Sequence, residues 1–135
     1  MIPSFKPGIL SSNRIRAAGG GADVTPNAVN WNDVVSAVSA TTNTVTITGI
    51  NTAINLSISG YSFGGFKVYI NNNEFTIDDD PYTVSVSNND EVYFVFSTST
   101  GEETTISITV TNASDGNTVL DTFTMTAFQG GGGGG

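Results

Sequence analysis

The sequence predicts an all-β fold, an antiparallel β-sandwich of about seven or eight strands with an extended N-terminal arm and a glycine tail. Three observations predict it. From Trp31 onward the chain is built of short runs in which apolar and polar residues alternate, the period of a strand with one buried face. Clusters of Asn, Gly and Asp interrupt those runs about every ten residues, as turns do. The runs are rich in Val, Ile, Thr and Ser, which favour strands over helices.

Taken in order, the first run, VNWNDVVSAVSA at 29–40, fits a strand or one helical turn by spacing, and its low helix propensity favours the strand. TVTIT sets Val45 and Ile47 on one side; INLSIS does the same with Ile54, Leu56 and Ile58. FKVYI aligns Phe66, Val68 and Ile70 and runs into an NNN turn at Asn71 to Asn73. YTVSV aligns Tyr82, Val84 and Val86 before the SNND turn. EVYFVFS is apolar on both sides, so it is expected to lie centrally and to be covered on each face. TTISITVTN and TVLDTFTMTAF bracket ASDGN, where Asp115-Gly116 is expected to supply the positive-φ residues of a tight hairpin. In the last run Val119, Phe123 and Met125 share a face with Asp121 while Leu120 opposes them. Either a bulge near Leu120 or partial cover of the second face would account for that. Seven or eight short strands in about a hundred residues describe a sandwich of immunoglobulin type, here without its disulfide.

Three regions follow: an arm at 1–28, the sandwich at 29–128 and a tail at 129–135. The arm holds Pro3, Pro7 and the Gly19 to Gly21 run and keeps no period. Fully extended it would reach about 100 Å. The tail contains six consecutive glycines, Gly130 to Gly135, which suit a flexible linker or a segment threaded into a neighbour.

Composition excludes several function classes. With no cysteine and no histidine, the chain has no thiolate or imidazole metal site, no Ser-His-Asp or Cys-His arrangement and no imidazole acid-base chemistry. The formal charge is −8, divided unevenly, with +3 on residues 1 to 16 and −11 on the remaining 119. An acidic body repels phosphate backbones and anionic lipid, so neither nucleic acid nor membrane is an expected partner. No run approaches the about eighteen apolar residues of a transmembrane helix. Pro3, Lys6 and Pro7 also break up the apolar stretch a signal peptide would need.

Four constellations could carry function. Asp78, Asp79 and Asp80 precede Pro81, a pattern that suits a solvated turn and, less directly, Ca²⁺, since the alternating spacing and glycine of a calcium loop are missing. Glu102 and Glu103 with Asp90 and Glu91 could form an acid pair for glycoside hydrolysis only at the right separation. Trp31, Tyr61, Phe63 and Phe66, the last three inside GYSFGGF, suit a sugar-stacking surface or rings folded back to plug the sandwich end. Asn55-Leu56-Ser57 and Asn112-Ala113-Ser114 match the glycosylation acceptor pattern.

The arm is the remaining feature. Ile2, Phe5, Ile9, Leu10 and Ile15 stand beside Lys6, Arg14 and Arg16, whereas disordered segments are poor in such apolar anchors. An acidic surface, including another copy of this chain, is the natural receiver. Addition to a sheet edge would use the arm's backbone and bury alternate side chains.

The order VNW, TVTITGINTAINLSIS, KVYINN, TVSVSNNDEVYFVFSTS and ITVTNASDGNTVLDTFTM resembles the immunoglobulin-like modules in virion proteins of tailed bacteriophages, over about residues 29 to 128. FKPGILSS is similar to the attachment segments that precede phage fibre or adhesin domains. The resemblance implies a non-enzymatic virion protein of the capsid surface, tail or fibre, on an extracellular particle, assembled with other virion proteins and as a homo-oligomer. It carries no catalytic residue, cofactor or metal. The alternative is a carbohydrate-binding or adhesin module that meets a host surface glycan.

Overall fold

The computed structural model describes residues 21–61, 65–98 and 102–128. The expectations for the arm residues Ile2 to Arg16, for Phe63 and for the glycine tail lie outside these. Every regular element among the described residues is a strand, and the strands form the two sheets of a β-sandwich.

The two runs expected at 29–40 and 44–48 form three short strands: β1 (Val34–Ala37), β2 (Ser39–Thr41) and β3 (Val45–Thr46). Seven more follow: β4 (Ile54–Ser59), β5 (Phe66–Ile70), β6 (Asn73–Thr76), β7 (Tyr82–Val86), β8 (Glu91–Ser97), β9 (Thr104–Asn112) and β10 (Thr118–Phe128). One sheet has the order β1-β10-β9-β4-β7. The other has the order β2-β8-β5-β6, with β3 also on β8. Pairing is antiparallel except between β1 and β10, which run parallel.

The break between β1 and β2 is where the chain changes sheets. Val38 has φ 65°, a conformation that costs an L-residue about 1–2 kcal/mol. The surroundings hold it there from both sides: its N–H donates to the Phe128 carbonyl of the first sheet, and its own carbonyl accepts from Thr98 N, 3.3 Å away beyond β8.

Turn chemistry fixes the hairpins. Asn71 and Asn72 have φ 52° and 67° and join the paired residues Ile70 and Asn73, the two-residue turn whose twist matches its strands. The β9–β10 turn differs from the Asp115-Gly116 expectation by one position. Its positive-φ residues are Gly116 and Asn117. The reason lies in Asn112, whose carbonyl accepts from Asp115 N and Asn117 N at 3.1 and 3.0 Å. Its side-chain oxygen takes Ser114 N at 3.1 Å, so Asp115 is drawn into the right-handed first turn of a longer loop. Beyond that loop a bulge leaves Leu120 unmatched between Val119↔Thr111 and Asp121↔Val110. The bulge turns Phe123, Met125 and Ala127 inward together.

Alternate residues from both sheets make the core, and an aromatic cluster fills its middle. Trp31 lies 5.2 Å from Phe94 and 5.9 Å from Phe123, ring centre to ring centre; Phe94 lies 5.3 Å from Phe123 and 5.7 Å from Phe66. These are the separations at which aromatic pairs attract beyond simple burial. β8 is central within its sheet, but its second face is not covered by another layer of described residues. Val92, Phe94 and Phe96 are buried, whereas Tyr93 and Val95 are only half-buried. Lateral contact with β5 explains why that outer side can be apolar.

Candidate functional site

Of the aromatics weighed for a recognition surface, Trp31, Tyr61 and Phe66 are core residues. Trp31 is 1% exposed; its indole N–H donates to the Val92 carbonyl at 3.0 Å, and its backbone N–H donates to Asp121 at 2.6 Å. Tyr61 is 6% exposed and packs on fully buried Phe66 with ring centres 5.1 Å apart. The Tyr61 ring thus folds back onto the core. Burial of an aromatic on a strand-flanking segment is favoured because each ring removes on the order of 150–250 Å² from water. Asn112 likewise fails as a glycan acceptor, being buried with its amide donating to the Val24 carbonyl at 2.7 Å.

What Tyr61 leaves behind is chemically unusual. Its hydroxyl is buried and has no hydrogen-bond partner, a state that costs about 1–3 kcal/mol. β4 runs antiparallel to β7, so Tyr61, two residues beyond β4, stands beside the start of β7, where Asp78, Asp79 and Asp80 lead into the strand. Burial first, then Asp80, Asp79 and Asp78, push the phenol up to about 12. An unfolded tyrosine titrates near pH 10. Above that pH the unfolded chain sheds this proton while the folded chain keeps it, so stability is unaffected below about pH 10 and falls as pH rises towards about 12. Tyr61→Phe is therefore expected to remove this alkaline loss and to add about 1 kcal/mol at neutral pH. Thermal melts at pH 7 and pH 11 check both.

The strand beside that acidic end is an open edge. β7 pairs with β4 on one side, and no strand pairs with its other side among the described residues. Val84 and Val86 point into the core while Thr83 and Ser85 face solvent. No residue of β7 carries a charge, so it lacks the charged side chains that normally guard an edge. The opposite sheet's edge strand β6 is guarded, since Glu74 pairs with Lys67 at 3.1 Å. The three aspartates are exposed and do not converge; no acidic group among the described residues is arranged to hold a metal ion.

The first described residues lie on the body, so the boundary expected at residue 28 moves upstream. Asp23 N donates to Asn51 Oδ1 at 2.6 Å, Asn51 N donates to the Asp23 carbonyl at 3.1 Å, and Asn27 N donates to the Thr48 carbonyl at 2.8 Å. Thr25 donates to Asp115 at 3.2 Å, and Pro26 is buried. Backbone pairing and apolar contact together make 23–31 part of the sandwich rather than of the arm. The Gly21 carbonyl meets Asn51 Nδ2 at 3.4 Å, and Ile50 N donates to Asn88 at 3.3 Å. Asn88 follows β7 closely. The chain therefore joins the body near the C-terminal end of β7, with the aspartates at the other end.

A second feature occupies the outer face of the other sheet. Tyr69 and Tyr93 are cross-strand partners whose rings are 4.8 Å apart and 4° from parallel. Tyr69 OH donates to Glu74 at 3.0 Å and Tyr93 OH to Asn72 at 3.4 Å. The hydrogen bond to Glu74 raises the Tyr69 phenol; Lys67 first, then Tyr69, lowers the Glu74 carboxyl. Sequence reasoning missed this pair. Each tyrosine stands directly between two inward residues, Tyr69 between Val68 and Ile70 and Tyr93 between Val92 and Phe94, but only the β5–β8 register reveals that they meet.

The acidic residues weighed for hydrolysis stay apart. Asp90 and Glu91 lie at the start of β8, and Glu102 and Glu103 follow its end. Seven residues of strand span about 23 Å, far beyond the about 5–10 Å such a pair requires. Asp90 is moreover engaged structurally, accepting from Asn71 at 2.9 Å and from Ser87 N at 2.8 Å.

No family model and no curated protein matches this chain. Among solved structures, it is similar to the N-terminal domain of PorA, with 12% identity and a TM-score of 0.34 over 74% of this chain and 90% of that one. It is also similar to the CARDB domain of a Pyrococcus furiosus protein in complex with di-metal ions, with 19% identity and a TM-score of 0.34 over 78% and 96% of the two chains.

Proposed function

We propose that this chain is a non-enzymatic structural protein of a bacteriophage particle, anchored through its N-terminal arm and displaying the sandwich. The observation that carries the reading is a division of labour along the chain. Among the described residues the core spans 24–127, while three of the four cations and five apolar anchors lie upstream of it in residues 1–16. An acidic body with a basic, apolar arm is suited to docking on acidic neighbours. Deleting residues 2–16 is expected to leave the melting temperature unchanged and to abolish incorporation into particles. Normal incorporation of the truncated chain would overturn the reading.

A carbohydrate-binding role is favoured by one observation, the Tyr69–Tyr93 pair with Lys67, Glu74 and Asn72 around it. Aromatic faces beside fixed polar groups are what a sugar ring requires. On this second reading, saturable binding on a glycan array is lost in Tyr93→Ala and retained in Trp31→Phe. Equal loss in both variants would count against it.

A further inference from the structure

We propose that the free edge of β7 receives residues 8–16 of a second copy of this chain as an added antiparallel strand, with Arg14 and Arg16 seated at Asp78, Asp79 and Asp80. The proposal rests on the reading of residues 1–16 as a docking arm and names its receiver.

Backbone supply and demand come first. β7 offers an unpaired row of N–H and C=O groups along five uncharged residues, a template for strand addition. Within residues 1–16, proline occurs at positions 3 and 7 only, so Gly8 to Arg16 is a stretch in which every residue keeps its backbone donor. Nine such residues suffice to pair with five and reach beyond.

Side-chain phase agrees with this seating. When Ile9 and Ile15 turn inward with Val84 and Val86, the alternation of a strand turns Leu10, Ser12, Arg14 and Arg16 outward with Thr83 and Ser85. Antiparallel direction then carries the two arginines past the start of β7, where the three aspartates lie. Two cations meet three anions, so charge fixes the direction as well as the site. The Tyr61 side chain, 6% exposed and with its hydroxyl unpartnered, lies at the same end of the edge.

The tether decides between the chain's own arm and a neighbour's. Residue 16 is joined to Gly21 through four residues, 17–20, and Gly21 sits at the Asn51 and Asn88 end of β7. β7 is five residues long, about 16 Å. A chain's own arm leaving that end runs along its own β7 in parallel and keeps its arginines at the wrong end. An arm from a second copy has no such tether and reaches the aspartates with both.

Because the chain has no cysteine, engineered disulfides report the seating cleanly. Full-length Ser12→Cys and full-length Thr83→Cys, prepared separately, mixed and oxidised, are expected to yield a disulfide between positions 12 and 83 that joins two chains, identified by peptide mass mapping. A doubly substituted chain that links within itself at high dilution, or a mixture that forms no such link, overturns the proposal. Sedimentation gives an independent measure. Arg14→Glu with Arg16→Glu is expected to weaken self-association at least tenfold, and Asp79→Lys with Asp80→Lys in the partner to restore it; unchanged association in the first variant also overturns the proposal. If the truncated chain is lost from particles while positions 12 and 83 never link, the anchoring reading stands and this inference falls. If the link forms but the truncated chain is incorporated normally, the anchoring reading falls and this inference stands.

Discussion

Trp31→Ala is expected to cost about 3–5 kcal/mol of folding stability, a large share of the about 5–15 kcal/mol a domain of this kind possesses. The ring is 1% exposed and touches Phe94 from one sheet and Phe123 from the other. Alanine would leave a cavity between two rigid sheets whose strands cannot collapse onto it without losing register. It would also strand the Val92 carbonyl, which accepts the indole N–H, in apolar surroundings. Trp31→Phe separates these effects, because it keeps a ring for Phe94 and Phe123 and removes only the donor and part of the volume; its cost is expected to be roughly half as large. Urea unfolding followed by circular dichroism is the measurement, since the substituted residue is the only tryptophan. An unchanged midpoint for Trp31→Ala would place the ring outside the core.

That same residue marks where sequence reasoning reaches its limit. Strands and turns were legible because period and turn chemistry are local: INLSIS alternates about one face and is β4, and the NNN cluster supplies the two positive-φ residues between β5 and β6. Whether an isolated tryptophan before the first strand faces in or out is decided by long-range contacts. The carboxylate that holds the Trp31 backbone is ninety residues away, on Asp121. The phase conflict around Leu120 and Asp121 was visible as a conflict, and the structure resolves it with a bulge, because a single extra residue is enough to return Phe123 and Met125 to the inner face.

The candidate site was legible only by halves. Charge asymmetry is a property of composition, so the arm and its anchors could be picked out directly. The receiving edge is a property of topology. YTVSV reads like any half-buried strand, and nothing local states that β7 ends its sheet while β4, of similar texture, lies within one. Tyr61 illustrates the same point, since an aromatic between glycines suits an exposed loop until β4 and β7 are placed side by side. The sheet change at Val38 had no local signal either; a valine at φ 65° runs against its own preference and persists because both sheets bind its backbone.

Gly60→Ala is expected to be the most damaging single-methyl addition among the described glycines, at about 3 kcal/mol or more. Two effects combine there. The residue has φ +100°, which L side chains rarely adopt, and a Cβ would stand 2.3 Å from the Ser107 carbonyl oxygen. Backbone atoms on both sides must move to relieve that contact. Gly60 immediately follows Ser59, which pairs with Thr109 on β9, and immediately precedes Tyr61, so the shift would spread into the β4–β9 register and the packing of Tyr61 on Phe66. Gly116→Ala isolates the conformational part, because Gly116 has φ +62° but open space where the methyl would go; it is expected to cost only about 1 kcal/mol. Urea midpoints of the two variants, measured side by side, test the account. Equal costs would mean that the close approach of Gly60 to β9 carries no energetic weight, and that the chain leaves β4 with room the geometry denies it.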